Sequence, residues 1–217
     1  MKELSLQYIV REPNVQTQHT SLLILLHGYG SNEEDLFSFA TELPEDLIIV
    51  SARAPKNLGF GSYSWYTIHL NNTQGKFSDI PEAIEARDKI AVFIDEIQER
   101  YHITPTKTFL LGFSQGTILS YAIAFNYPEK VQKIIALSGY INPELLPNNL
   151  ESRDYSGLDL FCSHGSVDQV IPATWAQKAP IFLDKLGVKN SYQEYPVGHG
   201  VAPQNFYDFN KWIEERL

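Results

Sequence analysis

Gly112-Phe113-Ser114-Gln115-Gly116 sets a serine two positions from a glycine on either side. The pentapeptide follows the apolar run Thr108–Leu111 and precedes a small, apolar stretch that begins near Thr117. A serine at a sharp strand-to-helix turn is held in strained dihedrals, and small residues around it leave room for the bend. Such a turn lifts the hydroxyl into a cleft at a helix N-terminus, where backbone N–H groups favour developing negative charge. A serine hydroxyl is a weak nucleophile, so this chemistry needs a histidine base oriented by a carboxylate. In chains with this turn the acid comes after the serine and the histidine last.

Only two histidines, His164 and His199, follow Ser114. His199 lies between Gly198 and Gly200, after the last strand-like segment and before the final helical one, where flexible glycines let an imidazole reach Ser114. His164 ends a strand and would precede the acid. Among the carboxylates, Asp154 sits in a polar loop, Asp159 opens a strand and Asp184 lies on a helix face, all solvated positions. Asp168 stands just past a strand end, four residues beyond His164. The expected catalytic set is Ser114, Asp168 and His199. An oxyanion hole needs two backbone N–H groups, one from the residue after the nucleophile and one from an earlier strand-end turn. Those are Gln115 and Tyr29, the latter within His27-Gly28-Tyr29-Gly30. His27 reads as a structural residue that ties down its loop.

The elements that must position these groups alternate in type. Leu22–Leu26, Leu47–Val50, Thr108–Leu111, Ile134–Leu137 and Leu158–Cys162 are short apolar runs that suit strands buried on both faces. Tyr192–Tyr195 is a more polar strand candidate nearer a sheet edge. Helical spacing marks Ala83–Tyr101, with Asp79 and Glu82 as a capping pair, and also Thr117–Asn126, Ala173–Leu186 and Asn205–Leu217. Alternation of this kind predicts an α/β chain, with a mostly parallel central sheet and helices on both faces. The ligand site then lies beyond the carboxyl ends of the strands. Together with the serine turn this predicts an α/β-hydrolase fold over residues 1–217 as a single domain, without internal repeats. Ser138–Gly157 is too short for a large cap domain, so Asn57–Phe77 is expected to cover the cleft. In that segment Phe60, Tyr63, Trp65 and Tyr66 are expected to line a substrate groove, shallow enough to favour short to medium acyl chains.

Composition excludes other classes. The 217 residues carry 17 Lys and Arg against 26 Asp and Glu, a net charge of −9, with no basic cluster to track phosphates; nucleic acid is not an expected partner. The longest apolar run, Leu22–Leu26, is far short of the roughly 20 residues of a membrane helix, and the N-terminal stretch lacks a signal-peptide pattern, so a cytoplasmic protein is expected. The six histidines show no metal-ligand spacing, and no metal or other cofactor is expected. Gly59-Phe60-Gly61-Ser62 begins like a nucleotide loop but lacks the third glycine and the following helix. Cys162, the only cysteine, sits in an apolar strand as a packed small hydrophobe.

Four ordered stretches resemble the phospholipase/carboxylesterase family, which includes the acyl-protein thioesterases. They are Leu25–Asp35, Gly112–Gly116, His164–Pro172 and Gly198–Gly200, and the resemblance spans about residues 20 to 215. It implies a cytoplasmic, cofactor-independent esterase, often a homodimer, that hydrolyses carboxylic or thioester bonds; a small-molecule carboxylic ester is the expected substrate, an acyl-protein thioesterase or lysophospholipase with the same triad is the alternative, and a non-catalytic ligand-binding α/β-hydrolase the remote one. Ser114, Asp168 and His199 fall on the family's triad positions, and Tyr29 and Gln115 on its oxyanion hole.

Overall fold

The computed structural model describes residues 4–71 and 75–217. Its strands are β1 (Tyr8–Arg11), β2 (Ser21–Leu26), β3 (Leu47–Ala52), β4 (Lys56–Gly59), β5 (Ser62–Ser64), β6 (Ile68–Asn71), β7 (Gly75–Ser78), β8 (Thr108–Phe113), β9 (Lys133–Leu137), β10 (Asp159–Gly165) and β11 (Lys189–Tyr195). The helices are α1 (Glu34–Phe37), α2 (Ile80–Tyr101), α3 (Gln115–Asn126), α4 (Ala173–Ala176), α5 (Lys178–Lys185) and α6 (Pro203–Glu214). Seven strands form one sheet in the order β1-β3-β2-β8-β9-β10-β11. Every pairing is parallel except β1 with β3, at one edge.

The period-two geometry of a strand explains why the central runs are apolar throughout. Leu22, Ile24 and Leu26 of β2 point into one core with Ile90, Phe93 and Leu119, beneath α2 and α3. Leu23 and Leu25 point the other way, into a second core with Leu36 of α1 and Phe206, Phe209 and Ile213 of α6. Burying both faces leaves no room for alternation, so the sequence shows a continuous run. The sheet thus has helices on both sides, as the alternation predicts, and belongs to the α/β-hydrolase architecture.

Local differences from the expectation have physical causes. Ala173–Leu186 is two helices rather than one, because Pro180 lacks an N–H for the Ala176 carbonyl and its ring crowds that turn. The last helix ends at Glu214, and Leu217 lies past it, 41% exposed. Asn57–Phe77 is not a loop: β4 pairs with β5 and β6 with β7 as two small hairpins. Its residues 72–74 fall outside the described part. Asp79 caps α2 by accepting from the Glu82 N–H at 3.1 Å. Glu82 does not return the bond. Its carboxylate instead takes the Thr67 N–H at 2.7 Å and the Lys56 ammonium, fixing the hairpin region to the helix start. Ser138–Gly157 carries only two 3₁₀ turns, Pro143–Leu145 and Leu150–Ser152, and no cap.

Candidate active site

Ser114 occupies the bend between β8 and α3 with φ 54° and ψ −114°, a region that side chains rarely visit. The bend is over-determined by close packing. A Cβ at Gly116 would meet the Leu26 carbonyl oxygen at 2.0 Å, and one at Gly112 would meet the Gly116 backbone at 2.5 Å. Only glycine lets α3 rest this closely on β2. The Ser114 N–H bonds the Leu137 carbonyl at 2.9 Å, and Thr117 Oγ1 reaches the carbonyls of Leu137 at 2.6 Å and Gly112 at 2.7 Å. The strain is thereby held by neighbours rather than relaxed.

His199 reaches this serine from the loop after β11. Its Nε2 is 2.8 Å from Ser114 Oγ and its Nδ1 is 2.7 Å from Asp168 Oδ2. A carboxylate can only accept, so Nδ1 carries the proton and Nε2 is left to accept the serine hydroxyl. Asp168 Oδ1 takes the backbone N–H groups of Val170 (2.8 Å) and Ile171 (3.0 Å), so both carboxylate oxygens are engaged. Burial pushes the Asp168 carboxyl up, but the bonds from His199, Ile171 and Val170 outweigh it and hold the group below its ordinary range. The structure thus brings His199 within hydrogen-bond reach of both Ser114 and Asp168, the residues that sequence spacing selects. The close crossing behind the acid also requires glycine: a Cβ at Gly165 would meet the Gly198 carbonyl oxygen at 2.1 Å.

The alternatives take other places. His164 is fully buried behind Asp168, donating from Nε2 to the Ile171 carbonyl at 2.9 Å, with Asp168 Oδ2 3.3 Å away. Asp159 pairs with Lys189 and Arg216, and Asp184 accepts from Asn190. His27 bridges the Gly28 carbonyl (2.8 Å, from Nδ1) and the Ala54 N–H (3.1 Å, to Nε2), and burial pushes its pKa down. It stays neutral and pins the loop that carries Tyr29. Gln115 is the first residue of α3, so its N–H has no intrahelical acceptor. Burial pushes the Cys162 thiol up to about 12, as suits a packed hydrophobe. Among the described residues there is no group of three or more His, Cys, Asp or Glu side chains that could hold a metal, and no helix is long and apolar enough to cross a membrane.

The aromatic segment differs from expectation. Trp65 is 1% exposed, with its indole N–H on the His27 carbonyl at 2.8 Å, and lies in the core instead of lining a groove. Phe60, at φ 53° on the β4–β5 turn, is fully exposed and touches neither depression at Ser114. The Tyr63 ring lies under the Arg53 guanidinium, 4.8 Å from it, while its backbone braces the Tyr29 loop through Gly30 and Ser31. Of the four, only Tyr66 is on the lining of the cleft, and it is as fully buried as Trp65, at 1% exposed. The physical reason is a clamp that sequence reading did not assign: the Gln115 side chain accepts the Trp65 N–H and donates to the Tyr66 carbonyl, both at 2.8 Å. That amide draws the segment inward against the nucleophile turn.

Two depressions meet at Ser114, Tyr29 and His199. One, of about 450 Å³, has apolar walls that include Ile118, Ile171, Pro172, Tyr140 and Trp175. The other, of about 600 Å³, has mixed walls and runs along Gly30–Asn32 to Glu34, Asp35 and Ser38, with Phe113 on its lining. Tyr140 and Trp175 carried no sequence signal as site residues, because neither lies in a motif; their position past β9 and past the Asp168 loop was the available clue.

Residues 9–217 match the family described as Phospholipase/Carboxylesterase. The chain is 26% identical over 222 residues to acyl-protein thioesterase 1 of Candida albicans, covering 94% of this chain and 96% of that one. It is 25% identical over 211 residues to a rice (Oryza sativa subsp. japonica) protein named "Probable carboxylesterase", covering 92% and 79% of the two chains. The crystal structure of esterase PE8 superposes with a TM-score of 0.84 at 27% identity, covering 100% of both chains.

Proposed function

Since the chain belongs to the phospholipase/carboxylesterase family, hydrolases of ester bonds, we propose that it is a serine carboxylesterase that works through an acyl-enzyme at Ser114. The observation that carries this reading is the unbroken hydrogen-bonded series Ser114 Oγ–His199–Asp168, at 2.8 and 2.7 Å. In the proposed reaction Ser114 Oγ attacks the ester carbonyl while His199 Nε2 takes its proton. The imidazolium that forms is stabilised by the Asp168 carboxylate, already ionised and engaged at both oxygens. The backbone N–H groups of Tyr29 and Gln115 receive the developing oxyanion. His199 then returns the proton to the departing alcohol, and water repeats the sequence to release the acid and restore Ser114. The more apolar depression receives the acyl group and the mixed one the alcohol, which supports small esters of short to medium acyl chains.

A thioester is the second reading, favoured by relatives named acyl-protein thioesterase 1 in several fungi. The same attack, with a thiol departing, needs no further residue. Hydrolysis of an oxyester and a thioester of the same acyl group, by the wild type and Ser114→Ala, tests both. The serine mechanism expects loss of roughly 10⁶-fold in Ser114→Ala on either substrate. A variant that retains turnover would end the proposal, and a large preference for the thioester would select the second reading.

A further inference from the structure

The apolar depression at Ser114 is lined in part by two rings, Tyr140 from the loop after β9 and Trp175 from α4, whose centroids are 5.1 Å apart at 73°, edge to face. A second depression, of about 770 Å³, is lined by these same two rings and by Ser78, together with Ile80, Pro81, Ile141 and Pro143, and it does not include Ser114. The two depressions thus share Tyr140, Trp175 and Ser78. We propose that the Tyr140–Trp175 pair is the end wall of the acyl pocket and sets the longest acyl chain that the enzyme accommodates. This rests on the acyl-enzyme reading of Ser114 and names which part of the acid it selects.

The two halves of the wall are held differently. Tyr140 is half-buried and lines the first depression together with Tyr66 and Ser78. Trp175 is 43% exposed, on a helix of only four residues, and its indole N–H makes no hydrogen bond among the described residues. No hydrogen bond of the indole is lost with it, so its removal leaves no buried polar group unpaired. Each methylene buried against an apolar wall raises kcat/KM by about fourfold, and the gain ceases where the wall blocks the chain. With the indole removed, a longer acyl chain can extend from the first depression toward the apolar residues of the second, Ile80, Pro81, Ile141 and Pro143, which stand among the polar Asp79, Glu144 and Lys178.

The test measures kcat/KM for p-nitrophenyl esters from acetate to palmitate in the wild type, Trp175→Ala and Tyr140→Ala. The wild type should climb with chain length and then level or fall. In Trp175→Ala the ratio between the ester two methylenes beyond that break and the ester at the break should rise about 16-fold. Tyr140→Ala removes the other half of the wall and should shift the break in the same direction. An unmoved break in both variants would overturn the proposal, as would a uniform fall on all esters, which would make the rings supports of the site's shape. Ser114→Ala in the same series separates this from the underlying reading. If that variant keeps turning over esters, the nucleophile is wrong; if it is inactive and the break does not move, only the wall is wrong.

Discussion

Gly116→Ala tests whether the nucleophile turn depends on backbone contact as close as the structure indicates. The added methyl would lie 2.0 Å from the Leu26 carbonyl oxygen, 2.7 Å from its carbon and 2.9 Å from the His27 oxygen. Side-chain Cβ atoms essentially never come nearer than 3.0 Å to such a neighbour, so α3 and β2 must separate by at least about 1.0 Å. The obstruction is main chain at the carboxyl end of the central strand β2 and no flexible side chain can yield. The cost therefore belongs at the top of the usual overpacking range, about 3 kcal/mol. For a domain of this size that is about 6–12 °C in Tm. The displacement also moves Ser114 and the Gln115 N–H away from the Tyr29 loop, and a misplacement of about 1 Å costs about 10²-fold in rate. Calorimetry and p-nitrophenyl butyrate hydrolysis should show both losses together. Gly198→Ala, whose Cβ meets nothing within 4 Å, should keep its Tm within a degree or two. Wild-type Tm and rate in Gly116→Ala would refute the packing argument.

Asp168→Asn should lower kcat by about 10⁴-fold, because an amide N–H facing His199 forces the imidazole into the wrong tautomer; circular dichroism should show the fold intact, and near-wild-type rates would remove Asp168 from the machinery. A second variant addresses acid stability. Hydrogen bonds with Lys56 and Thr67 pull the Glu82 carboxyl down to about 2. A lowered folded-state pKa gives stability that is fully present above the unfolded-state value of about 4.3 and is lost as pH falls toward about 2. Urea titrations of Glu82→Gln should therefore show lower stability than wild type at pH 7, with the gap closing between about pH 4.5 and 2; a gap independent of pH would contradict the assignment.

The central strands were legible because burial on both faces imposes continuous apolar runs such as Leu22–Leu26, and the catalytic candidates because each ends or follows such a strand. Legibility failed where tertiary partners decide. Tyr8–Arg11 is a short, half-exposed edge strand that pairs antiparallel with β3, and its four residues show no pattern of their own. Trp65 among glycines, serines and asparagine looks like an exposed loop aromatic, yet one distant glutamine, Gln115, holds its backbone inside. Pro180, visible in the sequence, could have marked the break between α4 and α5. That break leaves Trp175 on a four-residue helix with its ring against Tyr140, and no spacing rule joins two residues from different crossovers.

The central claim is that one hydroxyl, Ser114 Oγ, becomes acylated during turnover. Reaction of the intact protein with a fluorophosphonate, followed by peptide mapping, tests it most directly. A single adduct should appear on the peptide that carries Ser114, slowed by orders of magnitude in His199→Ala and absent from Ser114→Ala. An adduct at any other residue, or labelling and ester turnover that persist in Ser114→Ala, would contradict it.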